Sequence, residues 1–439
     1  MKKISLPILL LIILQLAFAQ DKRTLTLEEC IQTGLESNRS LKSQRYDVQA
    51  ADAYSKEMKT GLLPTLSFSG GYARLSEVPP FSVNMPAPFS TNITVSEALQ
   101  NAYTLRLSLK QPIFTGFKLS SVAEMSELNA KASHYDLEVS EQNLREQITE
   151  LFWQIYKIRQ TEKALQENSN LMEAHKKDID NFFAQGMVTK DEVLMVESKK
   201  AGLNVKLLEI RNNMEMLVLS LKNLIGVPLQ EKVEFQFDEG KVTDFPVDLK
   251  ADLLSAFEKR GEIKSTGQRI KAADSAVKTA AGGFYPQVYL AGNFYYDRPN
   301  SRYLPTQDEF NDSWDVGLVV SFDIWNWGRT SYQYQQANSR YKSFTEKEKQ
   351  LKDGIVVEIS QKYLKLMQVR EGIAAAEIAV KAAEESRRIT NDRFVQGTAK
   401  NSELLEAESN LLQAKTDYAS LVADYQIAKT KYEFAVMSK

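Results

Sequence analysis

The feature that most constrains the fold of this chain is an internal duplication. Residues 25–72 match residues 247–294 without a gap, at an offset of 222 positions. Further along, FFAQGMVTKDE (182–192) matches RFVQGTAKNSE (393–403) at an offset of 211 positions. Such self-similarity indicates that one structural unit is built twice. The change in offset places 11 additional residues in the first copy.

The extra residues of the first copy belong to the segment RLSEVPPFSVNMPAPFSTN (74–92). It contains Pro79, Pro80, Pro86 and Pro88, and proline lacks the backbone N–H that helices and strands use. We therefore expect this segment to be an irregular loop.

The amino terminus has the layout of a secretory signal peptide. Lys2 and Lys3 precede an apolar run, and the small-residue motif Ala17-Phe18-Ala19 follows, so we predict cleavage before Gln20. An uncleaved anchor is the alternative, but the apolar run is shorter than the ~20 residues that span a bilayer. The predicted segments are a signal peptide (1–19), a first repeat (20–230), a linker or equatorial segment (231–248) and a second repeat (249–439).

Each copy is predicted to contain a helix, two strands and a long helical hairpin. Residues 27–60 and 249–281 have apolar residues at three-to-four spacing, which predicts helices. A Gly and Pro break follows, and then apolar and polar residues alternate, as in YTLRLSLKQP (103–112). The predicted strands lie at about 64–75, 103–113, 286–297 and 313–325.

The predicted strands have two interpretations. A length of ~10 residues crosses a bilayer at a tilt, and aromatic residues at the strand ends would suit the girdles of a membrane barrel. The alternative is a half-buried sheet in a soluble domain, which alternation alone does not exclude. The neighbouring helices are too polar and too long to cover an apolar sheet face, so the membrane interpretation is favoured. The aromatic residues are Tyr72, Tyr103, Tyr295, Tyr296, Trp314, Trp325 and Trp327.

Two long segments, 117–183 and 328–394, contain no internal proline. As continuous helices they would each be roughly 100 Å long at 1.5 Å per residue. The repeated phrase follows each of them, and Gly186 and Gly397 supply the left-handed conformation that ends a helix. We therefore predict hairpin tips at about 183–191 and 394–402, each followed by a returning helix.

Four strands are too few to span a membrane alone, because an open sheet leaves unpaired backbone groups facing lipid. Several copies of the chain must then pool their strands. Two chains would give eight strands and three would give twelve, and both numbers form known barrels. The residues alone do not choose between them.

Composition and motifs exclude several classes of function. The 55 Lys and Arg and 57 Asp and Glu give a formal net charge of −2 without a basic block, so nucleic acid is not a partner. Cys30 is the only cysteine, and we predict that it packs within a helix. His134 and His175 are predicted at the surface. The sequence contains no nucleotide, nucleophile or metal-ligand motif, so we predict no enzymatic activity, no cofactor and no metal.

The chain resembles the TolC-like outer-membrane factors of bacterial efflux and type I secretion systems. The resemblance rests on the opening LTLEECIQTGLESN, the strand entries GLLPTLSFSGGY and GGFYPQVYLAGNF, the strand exits QPIFTG and DIWNWG, and the tips GMVTKDEVLMVES and GTAKNSELLEAES. It implies a mixed α+β membrane protein of a Gram-negative bacterium. Three copies would form a twelve-stranded outer-membrane barrel continued by an α-helical periplasmic tunnel.

The same resemblance implies partners. These are outer-membrane lipid, a periplasmic adaptor (membrane fusion) protein and an inner-membrane pump of the RND, ABC or MFS type. An adaptor-like protein or a structural coiled coil of the envelope is the alternative function. An adaptor carries one hairpin rather than two, and a structural coiled coil needs no alternating strands.

Residues near the tips are candidates for a periplasmic gate. In the family, acidic residues constrict this end, and they correspond here to Glu192, Glu403 and Glu406. A solvated helix start, where acidic residues are favoured by the helix dipole, is the alternative interpretation of these glutamates. The tyrosine and arginine of the family's best-known gate correspond to Phe394 and Ala399, so that hydrogen-bonded lock is missing.

Two lysines and the turns complete the candidate set. Lys190 and Lys400 are close enough in sequence to pair with the acidic residues instead. The exposed turns are the parts of a rigid hairpin that an adaptor can reach. The adaptor-contact candidates are Gly186, Met187, Val188, Gly397, Thr398 and Ala399.

Overall fold

The structure is a computed structural model that describes residues 23–84, 86, 88, 92–96, 99–237 and 247–437. The predicted signal peptide, residues 1–19, lies outside the described residues, as does part of the predicted linker. The chain divides into two compact units. The helical unit comprises the described residues within 23–46, 135–237, 247–264 and 350–437, and the sheet unit comprises the described residues within 47–134 and 265–349.

Both copies contain two shorter helices, two strands of the main sheet and two long helices in the same order, and the first copy has an additional strand pair between its two main-sheet strands. The first copy contains β1 (Arg23–Leu25), α1 (Leu27–Ser37), α2 (Arg39–Thr60), β2 (Thr65–Arg74), β3 (Phe81–Asn84), β4 (Asn92–Ser96), β5 (Asn101–Phe114), α3 (Lys118–Ala184) and α4 (Lys190–Ile225). After β6 (Val233–Phe235), the second copy contains α5 (Leu249–Lys259), α6 (Gly261–Ala281), a 3-10 turn (Gly282–Phe284), β7 (Gln287–Asp297), β8 (Asn311–Ser321), α7 (Arg329–Val395) and α8 (Asn401–Val436).

The long helices of the two copies have identical lengths. Helices α3 and α7 each contain 67 residues, and α4 and α8 each contain 36. Their first and last residues are related by the offset of 211 that the sequence shows. Within the described residues no helix is both long enough and apolar enough to cross a bilayer.

The helices predicted at 27–60 and 249–281 are each interrupted once, which the sequence reading missed. Asn38 and Arg260 occupy equivalent positions and have ψ angles of 125° and 131°, so each ends one helix before the next begins. The Asn38 side chain accepts from the Leu41 N–H at 2.9 Å and donates to the Leu224 carbonyl at 2.8 Å. These hydrogen bonds satisfy helix-end groups, so the break needs neither glycine nor proline.

The main sheet lies in the sheet unit and has the strand order β2-β5-β7-β8, with all neighbours antiparallel. Its four strands contain 10, 14, 11 and 11 residues, which matches the length needed for a tilted bilayer crossing. In the helical unit β1 pairs with β6 in parallel. Strands β2 and β8 are the two edges of the main sheet.

The two faces of the main sheet differ in polarity. One cross-strand row consists of Phe68, Leu107, Phe294 and Trp314, and it lies on the apolar face. The next row consists of Ser67, Ser108, Asn293 and Asp315, and it lies on the polar face. The large side chains of the apolar row are exposed to solvent. A soluble protein rarely leaves so broad an apolar surface uncovered, so this face suits lipid.

The aromatic residues form two groups on or beside this sheet. Tyr72 and Tyr103 have ring centroids 5.0 Å apart, and Tyr296 stacks on Phe310 at 5.2 Å. At the opposite strand ends, Phe114 contacts Phe117 and Tyr285, and Trp325 contacts Trp327. Tyr295 does not belong to either girdle, contrary to our prediction. Its register places it on the polar face, where the Arg106 guanidinium lies 4.7 Å from its ring centroid.

Two strand predictions differ from the structure. Strand β3 lies inside the segment 74–92 that we expected to be irregular, and it pairs with β4, which begins at the last residue of that segment. The four prolines lie outside both strands, so each proline excludes regular structure only at its own position. Strand β8 ends at Ser321 rather than near 325, so Phe322 and Trp325 follow the strand. Its last partner is Gln287, and the next position on β7 would be Pro286, which has no N–H to donate.

The turns from strand to long helix use two successive left-handed residues in each copy. Gly116 and Phe117 have φ angles of 60° and 64°, and Trp327 and Gly328 have φ angles of 56° and 77°. A Cβ at position 116 would lie 2.5 Å from the Gly282 carbonyl oxygen. Glycine is therefore required at 116 for two reasons, its conformation and its close approach.

Equivalent residues build the apolar cores of the two copies within the helical unit. The first core includes Leu144, Ile148, Ile155, Leu221 and Ile225. The second includes Ile355, Ile359, Leu366, Tyr432 and Val436, each 211 positions further on. Cys30 is fully buried in α1 within the first core, as predicted.

We predict that an arginine on the apolar face of β8 disrupts membrane folding, while an arginine next to it on the polar face does not. Leu318→Arg should make folding into lipid less favourable by about 2–4 kcal/mol, because a charge on the lipid face loses its hydration. Val319→Arg is the matched control. Urea titrations of folding into lipid vesicles measure both, and equal effects would contradict the assignment of the two faces.

Candidate functional site

The two hairpin tips have the same backbone structure. In the first tip the Gly186 N–H donates to the Phe183 carbonyl at 2.9 Å, and the Met187 N–H donates to the Phe182 carbonyl at 2.8 Å. In the second tip Gly397 and Thr398 make the equivalent bonds to Phe394 and Arg393, at 2.9 and 2.8 Å. This pattern is the Schellman motif, which places a left-handed residue after the helix. Gly186 and Gly397 have φ angles of 74° and 73°.

The acidic gate candidates occupy the starts of the returning helices. The Glu192 carboxylate accepts from the Thr189 N–H at 3.1 Å, and the Glu403 carboxylate accepts from the Lys400 N–H at 3.2 Å. Both bonds satisfy free N–H groups at a helix amino terminus. Glu406 is exposed one turn further along α8. Glu192 and Glu403 therefore have a structural role whether or not they also line a gate.

The lysine candidates do not pair with the acidic ones. The Lys190 ammonium lies 5.5 Å from the centroid of the Phe183 ring. Glu403 has Arg393 as its cationic neighbour, with 3.5 Å between Nη1 and Oε2. The Lys400 side chain is exposed.

Phe394 joins the two hairpins. Its side chain is only 8% exposed, and its ring lies 5.2 Å from the His175 ring and 6.0 Å from the Phe182 ring, both on α3. The two hairpins are also connected by a hydrogen bond from the Asn401 amide to the Glu192 carbonyl, at 3.3 Å. The second tip is thus held against the first by packing and by one buried amide.

The adaptor-contact candidates fall into two groups. Gly186, Met187, Gly397 and Thr398 are exposed, and Met187 exposes 65% of its surface. Val188 and Ala399 are partly buried, because they pack on an apolar cluster beneath both tips. The cluster contains Leu165, Met172, Ile179, Val193, Val196, Leu203, Leu207, Phe394, Leu404 and Leu405.

A buried polar cluster lies beside Phe394, and the sequence reading missed it. The side chains of His175 and Glu408 are 3% and 1% exposed, with 3.8 Å between Nδ1 and Oε2. The Arg387 Nη2 atom lies 3.8 Å from the other carboxylate oxygen. Among the described residues, neither ring nitrogen of His175 nor the Glu408 Oε2 atom has a hydrogen-bond partner. The predicted surface position of His175 is therefore wrong.

The spacing of α3 contains the signal that was missed. His175 continues the buried series Leu165, Asn168, Met172 and Ile179, whose members are three or four residues apart. Such spacing defines the seam of packed helices, so the position is buried whatever residue occupies it. The same argument applies to Glu408, which follows Asn401 and Leu404 on α8.

A groove beside the tips opens between α3, α4 and α8. Its volume is about 680 Å³, and its lining includes Met172, Met195, Leu412 and Glu408. Further along α3, Lys176 donates to Asp180 at 2.7 Å, and this hydrogen bond raises the pKa of the Lys176 ammonium. Within the described ranges no group of three or more His, Cys, Asp or Glu side chains could hold a metal ion.

These features define the class of the protein. Each chain combines a main sheet that has a lipid-suited face with two long helical hairpins, and this combination is typical of channels of the bacterial outer membrane. The profile of the outer membrane efflux protein family matches residues 30–227 and 254–433, so the chain belongs to that family. This confirms the resemblance drawn from the sequence. The protein is an outer-membrane exit duct for efflux.

Curated relatives and solved structures agree with this assignment. The chain is 22% identical to the probable efflux pump outer membrane protein TtgC of Pseudomonas putida, over 89% of this chain and 78% of that protein. It is 21% identical to the outer membrane efflux protein BepC of Brucella suis, over 74% and 71% of the two chains.

Two solved structures share the fold. The chain superposes on the Campylobacter jejuni CmeC outer membrane channel with a TM-score of 0.80, at 18% identity, over 93% of this chain and 85% of that one. It superposes on the outer membrane protein VceC of Vibrio cholerae with a TM-score of 0.79, at 18% identity, over 93% and 95%.

We predict that the buried carboxylate of Glu408 stabilises the tip region. Glu408→Ala leaves His175 and Arg387 without their acidic neighbour and should lower the local free energy of unfolding by about 3 kcal/mol. Glu406→Ala, two residues away and exposed, should change it by less than about 0.5 kcal/mol. Hydrogen exchange of the α8 amides measures both values. Unchanged protection in Glu408→Ala would contradict a stabilising role.

Proposed function

We propose that three copies of the chain form a twelve-stranded barrel, continued by a periplasmic tunnel of long helices. This duct receives substrates from an inner-membrane pump through a periplasmic adaptor. The observation that carries the proposal is the main sheet, which combines an exposed apolar face with two open edges, β2 and β8. Relatives named as parts of efflux pumps support the partnership with a pump.

The open edges argue for assembly. Lipid offers no hydrogen-bond donors or acceptors, so the outer backbone groups of β2 and β8 need partners from other copies. Pairing β8 of one copy with β2 of the next closes a ring and puts every polar face inside it. Two copies would give eight strands and three would give twelve. The family resemblance favours three.

The polar face then becomes the lumen. It carries one continuous row of polar residues, Ser67, Ser108, Asn293 and Asp315. The Ser108 hydroxyl donates a hydrogen bond to the Asn293 side-chain oxygen, and the Asn293 amide donates to the Asp315 carboxylate, both at 2.8 Å. Such a row tolerates water and hydrated solutes. A duct of this kind conducts passively, and the pump determines which substrates enter it.

The exposed tips are the proposed adaptor contact. Gly186 and Gly397 end rigid helices, and a Cβ at either position would meet nothing within 4 Å. A partner can therefore approach both turns closely. The groove beside the tips, lined in part by Met172 and Met195, extends the surface that such a partner could cover.

We predict that bulk at the second tip abolishes transport. Gly397→Trp should prevent adaptor docking while the protein still reaches the membrane and assembles. Gly397→Ala imposes the same left-handed strain without the bulk, so it should keep most of the transport activity. Substrate efflux from cells that express the cognate pump measures both. Normal efflux with Gly397→Trp would contradict docking at the tips.

The gate proposal rests on charge near the tips. Glu403 and Glu406 are three residues apart on α8, so they share a face of the helix. A threefold axis would repeat the pair into a ring of carboxylates. Like charges around a narrow opening cost free energy unless cations screen them, so the ring should concentrate cations.

We predict that the assembled protein is a low-conductance, cation-preferring pore in planar bilayers, blocked by divalent or trivalent cations from the periplasmic side. Glu403→Gln combined with Glu406→Gln should weaken both the preference and the block. Glutamine keeps a side-chain oxygen that can cap the helix, so loss of the cap does not explain the result. If selectivity and block persist in the double variant, these glutamates lie outside the conduction path.

A further inference from the structure

The loop that joins β7 to β8 folds back onto the sheet instead of extending away from it. We call residues 298–310 the β7–β8 loop. Asn300 is only 2% exposed, and its amide donates to the Asn311 carbonyl and to the Ser313 hydroxyl, both at 3.0 Å. The Asn300 side-chain oxygen accepts from the Arg302 N–H at 3.0 Å. The start of the loop is therefore hydrogen-bonded to the first residues of β8.

Arg302 makes a second attachment. Its guanidinium donates to the Trp314 carbonyl at 2.7 Å and to the Asp315 carboxylate at 2.6 Å. It also lies 5.1 Å from the centroid of the Tyr295 ring. Two charge-assisted hydrogen bonds from one guanidinium to different acceptors fix its position as well as contribute energy. We call the Asn300 and Arg302 contacts together the loop latch.

The latch lies on the polar face. Ser313, Asp315 and Tyr295 all belong to it by register, and Asp315 continues the polar row through Asn293. The loop thus adds a layer over the face that the proposed barrel turns inward. The opposite ends of β7 and β8 lead to the 3-10 turn and to α7, so the loop lies at the mouth that faces away from the helices.

We propose that the β7–β8 loop narrows the cell-surface exit of the duct and excludes large solutes from its lumen. This inference rests on the proposed function, because the polar face lines a lumen only if the strands close into a barrel. The middle of the loop supports it, since the Leu304 side chain there is apolar and 87% exposed. Three such loops would place apolar side chains across the mouth. Arg302 and Asp315 are 47% and 39% exposed, so the latch can open to let cargo leave.

The test measures access to the lumen from outside intact cells. Ala291→Cys introduces a thiol on the polar face, deeper than the latch and opposite Gly317. The native Cys30 is buried and does not compete. Each variant is exposed to a small maleimide and, separately, to a maleimide carried on a large polyethylene glycol chain. The ratio of the two labelling rates reports the width of the mouth.

With the latch intact, the small reagent should label Ala291→Cys rapidly and the large one slowly. Arg302→Ala should raise the rate of the large reagent by roughly tenfold, the effect expected when a charge-assisted contact that holds a closed state is lost. Asp315→Asn should act in the same direction, and it keeps the shape of the side chain. Arg298→Ala is the control, because its salt bridge at 3.0 Å is with Asp308 inside the loop.

The two possible failures are distinguishable. If the small reagent does not reach Ala291→Cys in any variant, the polar face is not a lumen and the proposed barrel is wrong. If the small reagent labels every variant and the large one labels all of them equally fast, the barrel stands and the loop does not narrow its exit.

Discussion

The unpaired edges of the main sheet determine the rest of the structure. Strands β2 and β8 each expose a row of backbone groups, and their apolar faces suit a solvent that cannot hydrogen-bond to them. A single chain is therefore an incomplete folding unit in lipid. Pairing of β8 with β2 of another copy, as proposed above, would satisfy both edges at once.

The sequence predicted the repeated architecture because the relevant signals are local and periodic. Alternation identified all four strands of the main sheet, and glycine identified both tips. The helix breaks at Asn38 and Arg260 were not predictable in this way, since their side chains bond to distant residues, Leu224 and Glu358. The hairpin of β3 and β4 was missed because prolines mark only their own positions. The end of β8 was not predicted because it depends on the partner strand β7, where Pro286 ends the pairing, and the sequence of β8 alone carries no sign of this.

The candidate site was predicted less well than the fold. The tips followed from glycine, and the helix-dipole interpretation of the acidic residues anticipated their place at the helix starts. The burial of His175 was not predicted, because a histidine within a charged helical segment is expected at the surface, and Glu408 was not a candidate. Three-to-four spacing was the better guide, since a seam buries its positions even when they are polar. Equivalent positions also diverge: Glu197, the counterpart of Glu408, lies at the surface near Lys176.

The two tips diverge in the same way. Phe183 and Phe394 are equivalent, yet Phe183 is exposed under Lys190 while Phe394 is buried against His175. The two tips have the same backbone conformation, but only the phenylalanine of the second tip packs against the other hairpin. Any movement that separates the hairpins must expose Phe394 and open the contact between His175 and Glu408. Apolar packing over a buried polar cluster therefore holds the second tip against the first hairpin.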